Sequence, residues 1–562
     1  MKDYPWLKHY PAGVAKEINP DEYTSLIELL GEAMKKYADQ TAFLNMDKGF
    51  TYREVDEKST QFAAYLQKKL GLKKGDRIAI QMPNCLQYPI VMFGAIKAGL
   101  VVVNTNPLYT HKEMEHQFKD SGAKAIVIVA NFAFNLEKII ANTDIKHVIV
   151  TELGDFLKGI KGPIVNFVVK RIKKMVPSFS IPGAISLKQA MKEGASLQFD
   201  KPEIRGEDVA FLQYTGGTTG VSKGATLSHR NMVAHTLQTT QWFQPIFVEG
   251  EEVVVITALP LYHIFALAVN GLLMFHVGAK NVLITNPRDM KAFCADMKKN
   301  PFSIITGVNT LFNGLLNQES FKTLDFSKLK GAIGGGMAVQ KAVAERWREV
   351  TGCPLVEGYG LSETSPVLAC NPLDGTHRNG FIGLPVPSTQ IVLLDDDGKE
   401  VPVGQPGEIC AKGPQVMSGY WERPDETAKV FVDGWFKTGD IGIIDKDGFV
   451  KIVDRKKEMI LVSGFNVYPN EVEDTVASHP KVLEVGAIGV PDPKSNEAVK
   501  VFVVKKDQSL TEEELISFCR EGLTRYKVPK HVEFVKELPK SNVGKILRRI
   551  LKENDAKVNS YN

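Results

Sequence analysis

TYREVDEKSTQFAAYLQKKLGLKKGDRIAI, residues 51–80, carries a helix and the start of a strand. Thr51 and Glu54 have the spacing of a capping box, in which each side chain bonds the other's backbone N–H. Val55, Phe62, Ala63, Leu66 and Leu70 then recur at helical spacing, which predicts an amphipathic helix. Gly71 stops it, and Arg77–Ile80 begins an apolar strand. The alternation repeats along the chain in AIVIV at 125–129, HVIV at 147–150, VVVIT at 253–257, NVLIT at 281–285 and SIIT at 303–306. Short apolar runs separated by helical segments predict parallel sheets wound by helices, here two doubly wound α/β subdomains.

From about residue 380 turn signals crowd together, in LPVPST (384–389), DDDG (395–398), PVGQPGE (402–408) and KDG (446–448). Short alternating strands between them predict an antiparallel, β-barrel-like subdomain. The triple acid Asp395–Asp397 ahead of Gly398 reads as a hairpin turn rather than a metal site. After Asp454 a small α+β unit follows. Pro469 opens a helix, strands fall near 482–490 and 498–505, Thr511 and Glu514 cap a second helix, and HVEFV at 531–535 supplies a third strand. The expected division is a large N-terminal domain, residues 1–453, and a small C-terminal domain, residues 454–562.

The chain has 562 residues, 44% of them apolar, and a net charge of +4. That slight excess implies no nucleic-acid partner. Six scattered cysteines with no C-x-x-C pair argue against zinc and against a disulfide framework, so a reducing cytoplasm is the expected compartment. The start lacks the apolar stretch of a signal peptide, and no window is long and apolar enough to span a bilayer. The ending NSYN is not a peroxisomal signal. In VNFVVKRIKKMV (165–176), Val165, Val168, Val169, Ile172, Met175 and Val176 fall on one helical face, beside Lys170, Arg171, Lys173 and Lys174. Such a helix either lies on an anionic membrane surface or packs its apolar side on its own domain.

Four stretches carry candidate chemistry. QYTGGTTGVSKGA (213–225) offers unhindered backbone N–H groups, small hydroxyls and one ammonium, the makings of a phosphate cradle. It is not a Walker loop, because Ser222 and Gly224 flank Lys223. EGYGLSETSP (357–366) sets an aromatic, a hydroxyl and a carboxylate in one turn. A tyrosine face can stack a purine and a carboxylate oxygen suits Mg²⁺, although the same residues would also serve as a helix cap. GWFKTGDIG (434–442), with DRKKEMILVSGFNVYPNEVE (454–473), places Asp440 where a ribose diol could be held. The charges at 454–457 stand where the texture changes, as in a solvated hinge. PKSNVGKILRR (539–549) sets Lys545 after a glycine and before a short helix.

Taken in order, Y-T-G-G-T-T-G-x-x-K-G, Y-G-x-[ST]-E, T-G-D, D-R-x-K and P-x-x-x-x-G-K resemble the adenylate-forming superfamily of acyl- and aryl-CoA synthetases, luciferases and adenylation domains. The resemblance runs from about residue 20 to 550. ALPLYHIFAL (258–267), ITGVNTLFN (305–313), DGWFKTGDIGIIDKDGFVKIVDRKK (433–457) and SGFNVYPNEVE (463–473) are similar to bacterial long-chain fatty-acid–CoA ligases.

The resemblance implies ATP-dependent formation of an acyl-adenylate, then of a CoA thioester, with ATP and CoA as co-substrates and Mg²⁺ as cofactor. It implies an ATP site of Tyr214, Thr215, Gly216, Gly217, Thr218, Thr219, Gly220, Val221, Ser222 and Lys223. Gly334, Gly335, Gly336, Tyr359 and Gly360 would hold the adenine, Ser362 and Thr364 would lie near the α-phosphate, and Asp440 and Arg455 would hold the ribose. Glu363 would be the Mg²⁺ ligand, Lys545 the adenylation lysine and Asp454 the hinge of a mobile C-terminal domain. His263 would border the carboxylate site, though its plain reading is a core histidine. Ser463 and Gly464 would line the CoA channel after domain rotation. Trp242 and Phe265, with Phe243, would line the acyl pocket, unless they are simply core. Ser362 departs from the commoner threonine but keeps the hydroxyl. Oligomeric state stays open, a homodimer being one arrangement. A medium-chain, aryl or carrier-protein ligase, a luciferase-like oxygenase, and a non-catalytic nucleotide-binding regulator are the rival readings.

Overall fold

A computed structural model describes residues 4–215, 221–541 and 543–560. Gly216, Gly217, Thr218, Thr219 and Gly220 of the phosphate loop therefore lie outside the described residues. Two large sheets and a connecting antiparallel sheet make up the N-terminal domain, and a fourth sheet belongs to the small C-terminal domain.

The capping box forms as expected. Glu54 N–H donates to Thr51 Oγ1 at 3.1 Å and Thr51 N–H to Glu54 Oε2 at 2.9 Å, and the helix runs Tyr52–Lys68. Arg77–Gln81 then enters a seven-stranded sheet that is parallel except for its last pair, Val209–Thr215 with Lys223–Ser228. The second sheet has nine strands, parallel from Leu355–Gly360 through to Thr41–Asn45 and antiparallel at both edges. The helix Gln87–Lys97 is buried along its whole length, and one hydrophobic core joins Ile78 and Val102 of the first sheet to Ile256 and Ile305 of the second. A helix covered on every side has no use for a polar face. Its one ammonium, Lys97, is bonded by Asp56 and Thr60.

Gln390–Leu394, Gly407–Lys412, Phe431–Val432, Trp435–Ile444 and Val450–Arg455 form a five-stranded antiparallel sheet. Asp395 closes the expected hairpin turn by accepting from Asp397 and Lys399 N–H, with Gly398 at φ 77°. The C-terminal sheet packs the helices Pro469–Ala477 and Glu512–Gly522 over Val485, Val499 and Val501.

The basic segment is not one regular helix. The α-helix Lys161–Phe167 passes into a π-helical turn, Val168–Ile172, and ends before Lys174, whose φ is 50°. Of the expected apolar face, Val165, Val168, Val169 and Val176 are half-buried, whereas Ile172 and Met175 are exposed. The exposed apolar residues are Ile160, Ile164, Phe167, Ile172 and Met175.

Candidate active site

A continuous cavity of about 2630 Å³ lies between the two domains and extends into the large sheets. At one end of the cavity Thr215 pairs with Lys223 across antiparallel strands, the two stems of the glycine-rich loop. Tyr214 OH donates to Asp120 at 2.8 Å, Ser222 Oγ donates to the Thr215 carbonyl at 2.6 Å, and His116 Nε2 lies 2.8 Å from the Ser222 carbonyl. These bonds fix both stems of the loop; Val221 is exposed at the rim.

The ammonium of Lys223 lies 2.7 Å from Glu426 and 4.7 Å above the Tyr420 ring. Lys223 and Lys429 hold the Glu426 carboxyl down at about 2. Tyr420 OH donates to Glu363 Oε1 at 2.8 Å. Glu363 stands on the turn Ser362–Thr364 after the strand Leu355–Gly360, where burial pushes its carboxyl above the usual range against the pull of that hydroxyl. The Thr364 hydroxyl is spent on the turn. It accepts from Leu361 N–H at 3.0 Å and donates to the Pro366 carbonyl. Thr364 thus sits behind the lining, while Ser362 and Glu363 reach the cavity. A single buried carboxylate with one oxygen engaged suits Mg²⁺ carried on phosphates, which keeps most of its waters. Among the described residues no cluster of three or more His, Cys, Asp or Glu side chains forms an all-protein cage.

Elsewhere in the lining Tyr359 OH donates to Asp440 Oδ2 at 2.6 Å, and Arg455 Nε lies 3.2 Å from Asp440 Oδ1. Sheet register brings the pair together, since Asp440 stands opposite Arg455 on adjacent antiparallel strands. Burial and the Asp440 charge drive the Tyr359 phenol well above its ordinary range, so it stays a hydrogen-bond donor. Gly335, Gly336 and Gly360 also line the cavity, Gly360 beside Tyr359 on one strand, and Gly334 ends the strand Gly331–Gly334.

The apolar arm is lined by Trp242, Phe243, Phe265 and Val269. Trp242 is fully buried and its indole N–H donates to the Asn371 carbonyl at 3.2 Å. His263 is another residue of the cavity lining. Burial and the nearby Lys545 ammonium push its imidazole down to about 4, leaving it neutral at pH 7.

Lys545 enters from the C-terminal domain. Ser541 N–H donates to the Lys545 carbonyl at 2.7 Å and Lys545 N–H to Ser541 Oγ at 3.1 Å, closing a tight turn. Gly544, at φ 83°, accepts a 2.9 Å bond from Thr310 of the N-terminal domain. Burial and Arg455 push the Lys545 ammonium down to about 8, opposed by Asp440 and Glu458. Asp454, almost fully buried, accepts from the N–H groups of Arg455 (2.7 Å) and Asn470 (2.8 Å).

Ser463 and Gly464 are not gathered into the site. They form the exposed two-residue tip of a hairpin, both with positive φ (51° and 84°), outside the cavity lining. Tyr420, Glu426 and His116 lie outside the quoted motifs, and Thr310 stands in ITGVNTLFN (305–313) with no role assigned to it from the sequence. Tyr420 stands 57 positions from Glu363 and Glu426 stands 203 from Lys223, so only the fold reveals the pairs.

Fold and cleft together define a two-domain enzyme with its site at the domain boundary. The chain belongs to the AMP-binding enzyme family, which it matches over residues 30–421, followed by the AMP-binding enzyme C-terminal domain over residues 471–545. It is 59% identical to a long-chain-fatty-acid–CoA ligase of Escherichia coli O6:H1, over 98% of both chains. It is 52% identical to the ligase of that description from Haemophilus influenzae, again over 98% of both. Among solved structures, an anthranilate CoA ligase in complex with anthranoyl-AMP superposes with a TM-score of 0.84 at 26% identity, covering 96% of this chain and 99% of that one.

Proposed function

We propose that this chain is a long-chain-fatty-acid–CoA ligase. It joins a fatty acid to ATP as an acyl-adenylate, releasing pyrophosphate, then transfers the acyl group to CoA and releases AMP. The observation that carries the reading is the convergence of Lys545 with Asp440, Arg455 and His263 in one cavity that continues into an apolar arm.

In the first step a carboxylate oxygen attacks the α-phosphorus, a new O–P bond forms and the bond to pyrophosphate breaks. Two anions must approach, and the Lys545 ammonium offsets their repulsion in a site with little water. Tyr359 and the Asp440–Arg455 pair hold the nucleoside, and Lys223, released from Glu426, meets the phosphates. Neutral His263 adds no charge beside the fatty carboxylate. Glu363 would hold Mg²⁺, which would supply charge neutralisation on the phosphates. In the second step the CoA sulfur attacks the acyl carbonyl and AMP leaves. We place the domain boundary at Asp454, about which the C-terminal domain turns, withdrawing Lys545 and bringing the Ser463–Gly464 hairpin to the cavity.

No helix among the described residues is long and apolar enough to cross a membrane. A long acyl substrate nevertheless partitions into lipid. Phe167 (60% exposed) and Ile172 (65%), beside Lys170, Arg171, Lys173 and Lys174, suit peripheral docking on the anionic inner face of the cytoplasmic membrane. Changing the four basic residues to Gln abolishes flotation with anionic vesicles; unchanged flotation refutes that role.

Exchange of labelled pyrophosphate into ATP, run with fatty acids of increasing length, tests the main reading. Each buried methylene adds about 0.8 kcal/mol, so exchange at low acid concentration rises steeply toward long chains and free CoA is consumed. An optimum at short or aromatic acids, or no use of CoA, contradicts it.

A further inference from the structure

Three residues beyond Lys545, the guanidinium of Arg548 is almost wholly enclosed, with 12% of its side chain exposed. Its Nε–H donates to Glu473 Oε1 at 2.9 Å. Its Nη1 donates to Glu458 Oε2 at 2.6 Å and Asp454 Oδ1 at 3.1 Å, and its Nη2 to Asn470 Oδ1 at 2.5 Å and Glu473 Oε2 at 2.7 Å. Arginine has five N–H donors and here each has an acceptor. Lysine, with three donors on a point charge, cannot reproduce the fork.

The five bonds join four segments: the end of the strand Val450–Arg455, the connection after it, the helix Pro469–Ala477 and the start of the helix Arg548–Ser560. Two of the acceptor residues, Asn470 and Glu473, belong to the helix Pro469–Ala477 of the same small domain, and those bonds would persist however the domain turned. The bond to Asp454 is different: it adds a side-chain link from the segment of Lys545 to a carboxylate that also accepts from the Asn470 N–H at 2.8 Å. Asp454 is the residue before Arg455, which pairs with Asp440, so this contact ties the turn carrying Lys545 to the strand that carries the nucleoside site.

We propose that Arg548 is a positioning residue, whose bond to Asp454 registers Lys545 against the nucleotide for the first half-reaction and is given up when the domain turns for the second. The proposal rests on the two-step reading above and adds to it a specific tether. Without that tether the C-terminal domain still folds around Glu473 and Asn470, but Lys545 samples a wider arc and is in place for a smaller fraction of the time.

The test separates the half-reactions in the full-length enzyme. Arg548→Gln lowers fatty-acid-dependent pyrophosphate exchange about tenfold or more, while thioester formation from supplied acyl-adenylate and CoA stays within about twofold. Asp454→Asn leaves the bonds of Arg548 to Glu473 and Asn470 in place. It shows the same selective loss, and so carries the test if the arginine variant fails to fold. Arg548→Lys recovers less than half of the lost exchange. Equal loss of both half-reactions, or no loss of exchange in Asp454→Asn, overturns the proposal. An unmodified enzyme that exchanges pyrophosphate with no fatty acid sinks the functional reading itself, a result distinct from both.

Discussion

Gly544→Ala perturbs the docking of Lys545 without touching its charge. A Cβ at Gly544 would lie 2.7 Å from Thr310 Oγ1 and 3.3 Å from Val308 Cγ2, both across the domain boundary. The new methyl must push the turn away from the helix Asn309–Leu316, and the 2.9 Å bond from Thr310 to the Gly544 carbonyl lengthens or breaks. The lost bond costs about 1 kcal/mol and the overpacking about 1–2 kcal/mol more. Both penalties fall only on the orientation in which Lys545 faces the nucleotide. A further cost of about 1–2 kcal/mol, for alanine at φ 83°, is present in every orientation and appears as lowered thermal stability. Docking is thus weakened by about 2–3 kcal/mol, and pyrophosphate exchange falls roughly 30- to 150-fold, whereas thioester formation from supplied acyl-adenylate is retained. Exchange at the unmodified rate in a folded Gly544→Ala protein would refute the docked geometry as the reactive one.

Two further outcomes follow from the same geometry. Lys545 acts as a cation and burial lowers it to about 8, so kcat/KM for exchange is full below that pH and falls as pH rises through it. A flat profile to pH 10 would count against a buried lysine. Asp440→Asn removes the charge that accepts from Tyr359 and faces Arg455. A bond to a charged group is worth about 1.5–3 kcal/mol, so KM for ATP rises roughly 10- to 150-fold, and the alkaline fall moves to lower pH because Asp440 no longer supports the Lys545 cation. An unchanged KM removes Asp440 from the nucleoside site.

The helix after Thr51 and the strands at 125–129 and 147–151 were legible because their signals are local, a capping pair and short apolar runs. At 165–176 the hydrophobic spacing presumes 3.6 residues per turn, and the π-turn Val168–Ile172 departs from that count, so the segment is helical but not one regular α-helix. Asp440, Arg455, Glu363 and Lys545 were found as members of motifs. Their partners were not: the Tyr420 bond to Glu363 and the Arg548 fork depend on strand register and domain docking, which no local pattern encodes. By itself His263 reads as an ordinary core histidine, and only its place in the cavity lining, near Lys545, sets it apart.

The central claim is that an ammonium from the C-terminal domain offsets the repulsion between the fatty carboxylate and the α-phosphate. Lys545→Ala, assayed separately for pyrophosphate exchange and for thioester formation from supplied acyl-adenylate, measures this directly. The account predicts that exchange is abolished while thioester formation continues; equal loss of the two would contradict it.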